Sequence, residues 1–349
     1  MINNKETTLA RSRIQHMAIL LLPNFNVMAT TSLIDPLRAA NYLSGQHLYK
    51  WYFISVNGGQ VIGSNGMSIN TLPLNKLNVL TGNIEALIVS ASWTPEAYQN
   101  KTILNALREW AGHGILLGGL DTGAFILGFA GLLNGYRATV HYEHIDAFIE
   151  LFPKIDVSED IFVIDRNRIS CCGGSAAADL ALELIGSQYG IDLANASARY
   201  IFHDRLRSAS ESQNASIHEP VGQIMPPRLR EAIVTMERHL EETISISNIA
   251  AIVGISQRNM ERLFKNYTHV TAKKYYLDIR LDRARGLLTQ TQMPILEVAI
   301  ACGFSSSQYF SKVYKKRFQI SPQKDRIKGR VPFEFRAYPS YSGKAVVAN

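Results

Sequence analysis

The sequence predicts two domains of different class: an α/β domain on a mainly parallel sheet, then an all-α domain with two helix-turn-helix units. Three observations support this. From His16 to about Tyr189, short apolar runs alternate with stretches of helical periodicity. Beyond Arg228 the periodicity is helical throughout, and one helix–glycine–helix pattern occurs twice. Positive charge also gathers in that last third. At 349 residues the chain exceeds what one hydrophobic core sustains, since single cores stop growing near ~250–300 residues.

The apolar runs HMAILLL, WYFISV, EALIVS and GILLGG are short and nearly continuous, as strands covered on both faces must be. Between them, Ala29–Leu43 and Pro95–Ala111 read as amphipathic helices. Asp35-Pro36 lies inside the first, and because proline restrains its predecessor a helix start or kink is expected there. Ile161–Asp165 and Arg168–Cys172 flank the turn residues RNR and read as a closing pair of strands. GGSAAADLALELIGSQYG follows as a helix opened by glycines and ended at Gly190. The segment 207–227 is rich in Ser, Asn, Gln and Pro without an apolar period, and reads as a linker. The expected layout is a tail over 1–14, an α/β domain over 15–206, the linker, a helical domain over 228–328 and a tail over 329–349.

The repeat is visible by superposing Ile246–Ser256 (ISNIAAIVGIS) on Ile295–Ser305 (ILEVAIACGFS): Ile249 meets Val298, Ala250 meets Ala299 and Gly254 meets Gly303. After one extra residue Met260 meets Phe310, Leu263 meets Val313, Phe264 meets Tyr314 and Lys265 meets Lys315. In each half a small alanine permits close helix approach, and the glycine tolerates the positive φ of a sharp reversal.

Whole-chain charge is +7, but between Arg228 and Arg330 19 Lys and Arg stand against 9 Asp and Glu, a local +10 that leaves the rest at −3. A basic module joined to a near-neutral one points to an anionic polymer held at one end. The second helix of each unit carries side chains able to pair with base edges or phosphates: Ser256, Gln257, Arg258, Asn259 and Arg262 in the first, Ser306, Ser307, Gln308, Ser311 and Lys312 in the second. Between the units, TAKKYYLDIRLDRARGLL predicts a long connecting helix. Tyr276, Ile279, Leu281 and Ala284 are expected against the two lobes, with Arg280, Arg283 and Arg285 mostly outward. Such a connector lets both reading helices enter successive major grooves roughly 34 Å apart.

RLDRARGLLTQTQMPILEVAIACGFSSSQYFSKVYKKRFQISPQKDR resembles the C-terminal signature of AraC/XylS transcription regulators, a likeness covering about Arg228–Arg326. It implies promoter double-stranded DNA as partner, bound through two helix-turn-helix units. It also implies activation in response to a small effector, a homodimer and contact with RNA polymerase.

GGLDTGAFILG (118–128) has the outline of a nucleophile elbow: an apolar strand, paired glycines, one side chain at a sharp turn, then a helix. Its tip is Asp121. Together with LLPNFNVMATTSLIDPLRAAN and ISCCGGSAAADLALELI, this stretch resembles the PfpI-like, class I glutamine-amidotransferase-like domain of the GlxA group of regulators, over roughly residues 15–200. The resemblance implies a flavodoxin-like parallel sheet. Within the group the chain looks closest to regulators sensing glycine betaine, carnitine or related amino-acid derivatives. Catalytic relatives present a cysteine at the elbow, served by a histidine. Here His141 falls at the histidine position, the tip is a carboxylate, and LLPNFN lacks the acid that catalytic relatives place nearby. Covalent catalysis of that kind needs a thiolate or alkoxide, so no catalytic residue is expected.

A binding role makes use of what remains. N–H groups near Thr122–Ala124 favour an anion and Asp121 a cation, a combination suited to a zwitterion. Quaternary ammonium groups also prefer aromatic faces, and Phe25, Trp93 and Tyr142 lie on segments expected to end near the elbow. The candidate ligand set is Asp121, Thr122, Trp93, His141, Tyr142 and Phe25; two alternatives stay open, that Asp121 only caps the following helix and that Phe25 and His141 are core residues. A rival reading is an amidase- or glyoxalase-like enzyme fused to a DNA-binding module. Three cysteines, two of them adjacent, give neither a disulfide framework nor a metal site. No metal or cofactor is expected. MINNKETTLARSR lacks an apolar signal core and no run of about 18 apolar residues occurs, so a cytoplasmic, nucleoid-associated protein without membrane contact is expected.

Overall fold

The computed structural model describes residues 14–76, 84–211, 213 and 225–328. Residues 1–13 and 329–349 of the expected tails, and most of the linker, lie outside these. The chain divides into two compact units with the boundary between Ala215 and Ser216, inside the expected linker.

Ten strands are described in the first unit: β1 (Gln15–Leu21), β2 (Tyr49–Ser55), β3 (Gly59–Ile62), β4 (Ser68–Pro73), β5 (Ala86–Ala91), β6 (Leu116–Asp121), β7 (Arg137–Ala138), β8 (Asp156–Val157), β9 (Phe162–Asp165) and β10 (Arg168–Cys171). Eight form one sheet in the order β3-β4-β2-β1-β5-β6-β10-β9, while β7 and β8 pair separately. Within the large sheet all neighbours are parallel except the two edge pairs, β3 with β4 and β10 with β9. The helices are α1 (Val27–Ser44), α2 (Lys101–Gly112), α3 (Gly123–Phe129), α4 (Ile145–Leu151), α5 (Ala176–Tyr189) and α6 (Ile191–Tyr200).

The period-2 geometry of a strand divides these apolar runs between two cores. Met17, Ile19 and Leu21 of β1, with Ala86 and Ile88 of β5, pack under α1, α5 and α6. Their alternates Ala18, Leu20, Leu22, Leu87, Val89 and Ala91 pack against α2, α3 and α4. Each fully buried Leu or Ile contributes about 1.5–3 kcal/mol, so covering both faces is what makes the central strands stable.

Two local expectations change. Helix α1 runs through the buried Pro36 rather than starting there; its N-cap is Asn26, whose Oδ1 accepts the Ala29 N–H at 2.9 Å. Pro95–Tyr98 is a separate 3-10 turn, and α2 starts only after Asn100, which caps it by accepting the Ile103 N–H at 2.9 Å. The β3–β4 hairpin and the β7–β8 pair were not legible, because these strands are short and mostly without an apolar run.

The start of the expected linker is tied to the first unit. Buried Asp179 on α5 accepts from Arg207 N (2.8 Å), Nε (2.9 Å) and Nη2 (2.6 Å), and lies 2.8 Å from His203 Nε2. Gln213 Nε2 donates to Thr139 Oγ1, Val140 O and Asp160 O at 2.9–3.0 Å.

The second unit holds α7 (Pro227–Arg238), α8 (Ile246–Ile252), α9 (Gln257–Thr268), α10 (Ala272–Gln290), α11 (Ile295–Ala301), α12 (Ser307–Phe318) and α13 (Pro322–Lys328). Two lobes each have a core of their own. Ile249, Ala250, Met260 and Phe264 belong to the first; Val298, Ala299, Phe310 and Tyr314 belong to the second. Helix α10 joins them, giving Tyr276 to the first core and Leu281, Ala284, Leu287 and Leu288 to the second. Its arginines, expected outward, turn inward instead. Arg280 donates to Cys302 O (2.8 Å) and Gly303 O (2.6 Å), Arg283 donates to Ala301 O (3.1 Å), and Arg285 pairs with Asp325 (3.0 Å). The reason is the end of α11: its last carbonyls have no intrahelical donor, and arginine reaches them from the neighbouring helix.

Candidate ligand site and nucleic-acid interface

In a parallel sheet all carboxyl ends share one edge, and loops leaving it converge. The register brings four of them together here. Ala91 of β5 pairs with Asp121, the last residue of β6; Leu21 of β1 pairs with Ser90, and Cys171 of β10 pairs with Leu120. Asn26 follows β1, Ser92 and Trp93 follow β5, and Gly173 follows β10.

Asp121 sits at φ 58°, a left-handed conformation that costs a non-glycine residue about 1–2 kcal/mol. The helix behind it is pressed against the sheet: a Cβ on Gly123 would lie 2.1 Å from Val89 O. The elbow is therefore a strained, closely packed turn. Its carboxylate is only 5 % exposed and accepts from Asn26 Nδ2 at 2.6 Å. Burial pushes the Asp121 carboxyl up from its ordinary range. His141, the amide of Asn26, the Ser92 hydroxyl and the Thr122 N–H oppose that rise.

The partner across the site comes from the loop after β7. His141 Nδ1 accepts the Glu143 N–H at 3.4 Å, and the Tyr142 ring lies tilted against the His141 ring, 4.4 Å between centres. Burial also raises the Glu143 carboxyl; His141 counteracts this and Asp121 adds to it. Asp121 and Glu143 thus both lie within electrostatic reach of His141, and Glu143 lies within reach of Asp121 as well.

The six ligand candidates do not converge equally. Asp121, His141 and Tyr142 belong to this cluster. Trp93 is half-buried in the loop directly after Ser92. Thr122 is fully buried and its Oγ1 donates to Ser92 O at 2.6 Å, so its hydroxyl braces the β5 loop. Phe25 is 0 % exposed and packs within the core under α1; of the two readings left open for it, its position is the core one. Asp121 does not hold the cap position of α3, which belongs to Thr122 and has no side-chain capping bond. Cys171 is buried, which raises its thiol, and Cys172 is half-buried.

In the second unit the turn glycines Gly254 and Gly303 have φ 70° and 71°, the conformation the reversal requires. Ser256 caps α9 by accepting the Asn259 N–H (3.2 Å), and Ser306 caps α12 by accepting the Tyr309 N–H (3.3 Å). The structural register of the repeat is therefore Ser256 on Ser306, not on Ser305, with the extra residue falling between Gly303 and the cap. Gln257, Arg258, Arg262, Ser307, Gln308 and Lys312 are exposed; Asn259 and Ser311 are half-buried. Asn259 Oδ1 accepts from Arg262 Nη2 at 3.0 Å. Among the described residues no group of His, Cys, Asp and Glu could hold a metal ion, and no helix is long and apolar enough to cross a membrane.

Residues 249–327 match the model of a helix-turn-helix domain. The chain is 39% identical over 316 residues to the HTH-type transcriptional regulator CdhR of Pseudomonas aeruginosa, spanning 89% of this chain and 91% of that protein. It is 32% identical to the HTH-type transcriptional regulator GlxA of Rhizobium meliloti, over 88% of this chain and 94% of that protein. The chain belongs to the AraC family of transcriptional regulators, in its GlxA-type branch. The chain also shares its fold, over 73% of its length, with a THiJ/PfpI family protein from Pseudomonas syringae (TM-score 0.51, 19% identity, 97% of that protein). It is thus a DNA-binding regulator, and α9 and α12 are the second helices of its two helix-turn-helix units.

Sequence reasoning missed Asn26, Ser92 and Glu143 around Asp121. Nothing in the linear pattern marks them; only the sheet edge assembles them. On α9 and α12 the candidate set left out Tyr309, Lys265, Asn266, Lys315 and Lys316, all exposed, although the repeat already aligned Lys265 with Lys315.

Proposed function

We propose that this regulator couples promoter binding to a small zwitterionic or quaternary-ammonium metabolite, a betaine, carnitine or amino-acid derivative, held at Asp121 in a domain without catalytic activity. One observation carries the reading: the elbow tip presents a buried carboxylate, braced by Asn26 and within electrostatic reach of His141 and Glu143, where acyl-transfer chemistry needs a thiolate or alkoxide. A cation next to two carboxylates relieves their mutual repulsion, and the aromatic faces of Tyr142 and Trp93 suit an alkylated ammonium group. In this reading residues 15–206 sense the effector and 228–328 bind DNA. The effector acts by binding one arrangement of the chain more tightly than another. The family likeness supports a cytoplasmic homodimer that activates transcription through RNA polymerase.

The test is a thermal-shift panel on the full chain with glycine betaine, carnitine and free amino acids. At least one raises the melting temperature of the wild type, and Asp121→Asn removes that shift while non-specific DNA affinity stays unchanged. A shift that survives the substitution takes Asp121 out of the site. Turnover of a panel compound that Asp121→Ala abolishes restores the enzyme reading.

A further inference from the structure

The two reading helices are superposable position by position, which makes their differences interpretable. Both start from a serine cap (Ser256, Ser306), bury an apolar residue four positions on (Met260, Phe310) and a ring eight positions on (Phe264, Tyr314), and end in a left-handed residue (His269, φ 59°; Gln319, φ 57°). Every position of α9 therefore has one counterpart in α12, fifty residues later. The buried counterparts are alike in character. Several of the others differ, and three of those differences bear on base recognition.

At the second helical position α9 carries Arg258 and α12 carries Gln308, both exposed. One position on, α9 carries half-buried Asn259 and α12 carries Tyr309, 52 % exposed and tilted against Phe304 at 6.3 Å between ring centres. Three further on, Arg262 is steadied by Asn259, whereas its counterpart is the exposed single ammonium of Lys312. These differences map onto base chemistry. The guanidinium fork matches the two acceptors O6 and N7 of guanine, the carboxamide of glutamine matches the acceptor and donor of adenine, and an aromatic edge contacts the thymine methyl.

We propose that α9 selects guanine through Arg258, and that α12 selects an A·T pair through Gln308 and Tyr309. The inference rests on the DNA-binding role of these helices and adds which base each selects.

The experiment selects duplexes from a randomised library with the full-length chain, then measures the affinity of wild type, Arg258→Gln and Gln308→Arg for the selected duplex and its single base-pair variants. Both side chains are exposed, and retained non-specific binding reports that each variant is folded. Arg258→Gln should move the preference at one base pair from G·C to A·T by about 5- to 150-fold and leave the other half-site untouched. Gln308→Arg should do the reverse in the other half-site. Two identical half-sites in the selected duplexes would overturn the proposal. So would a uniform loss of affinity in Arg258→Gln with base preference unaltered, the behaviour of a phosphate contact. If the wild type selects no sequence at all, the DNA-reading role of both helices fails along with it.

Discussion

Asn26 and Asp121, 95 residues apart, are joined by a 2.6 Å hydrogen bond from the Asn26 amide to the buried carboxylate. The same side chain uses its oxygen to cap α1. One asparagine thereby fixes the start of the first helix and the tip of the elbow. Asn26→Ala should cost about 1–3 kcal/mol, combining a lost cap with a buried carboxylate deprived of a donor. Asn26→Asp keeps the cap but sets two carboxylates together, so its deficit should be larger at pH 7 than at pH 4. Urea denaturation at the two pH values measures both.

Asp121 itself sets a pH dependence of known sign. Its folded-state pKa lies above the ordinary 3.8 because burial dominates. Stability from this group is therefore complete below about pH 3.8 and is lost as pH rises through the folded value. Asp121→Asn should lose nothing at pH 7 and melt at or above the wild type there, with the difference closing toward pH 4. For a cationic effector the direction reverses: affinity rises with pH through the same titration, because the ligand prefers the ionised carboxylate. Melting curves and titration calorimetry across pH 4–8 follow the two effects separately.

Asp179 is buried under Arg207 and His203. Removing one member of a buried ion pair strands the other, a loss typically of about 3–5 kcal/mol. Asp179→Ala should destabilise the first unit by that order and free the segment from Arg207 onward, read out as faster protease cleavage near Arg207. Arg207→Ala should show the same cleavage with a comparable loss of stability, because the group it strands is the fully buried Asp179 carboxylate, left with His203 as its side-chain partner.

Gly254 and Gly303 occupy equivalent turns but not equivalent surroundings. A Cβ on Gly254 meets nothing within 4 Å, whereas one on Gly303 would lie 2.6 Å from Leu240 O and 2.8 Å from Glu241 O, backbone atoms of the first lobe. Gly254→Ala should cost only the left-handed backbone, about 1–2 kcal/mol. Gly303→Ala should cost more, because lobe-to-lobe packing must give way too. Comparing both variants by calorimetry, with DNA affinity alongside, separates a local turn effect from a change in how the lobes sit.

Much of the fold follows from the linear pattern alone. Continuous apolar runs with alternating residues sent to two cores, as in Met17 to Leu22, require a sheet covered on both faces. The recurrence of Ala250 and Gly254 as Ala299 and Gly303 likewise dictates two helix-turn-helix lobes, because close helix approach and a positive φ are local demands that few residues meet. Asp121 at the elbow was visible for the same local reason. What surrounds it was not. Asn26 and Ser92 reach it because parallel strands in register bring distant loops to one edge. Glu143 comes from the loop after the separate strand β7, and Phe25, next to Asn26, turns into the core. The arginines of α10 show the same division: their charge is written in the chain, but their inward direction was decided by where the carbonyls at the end of α11 lacked donors.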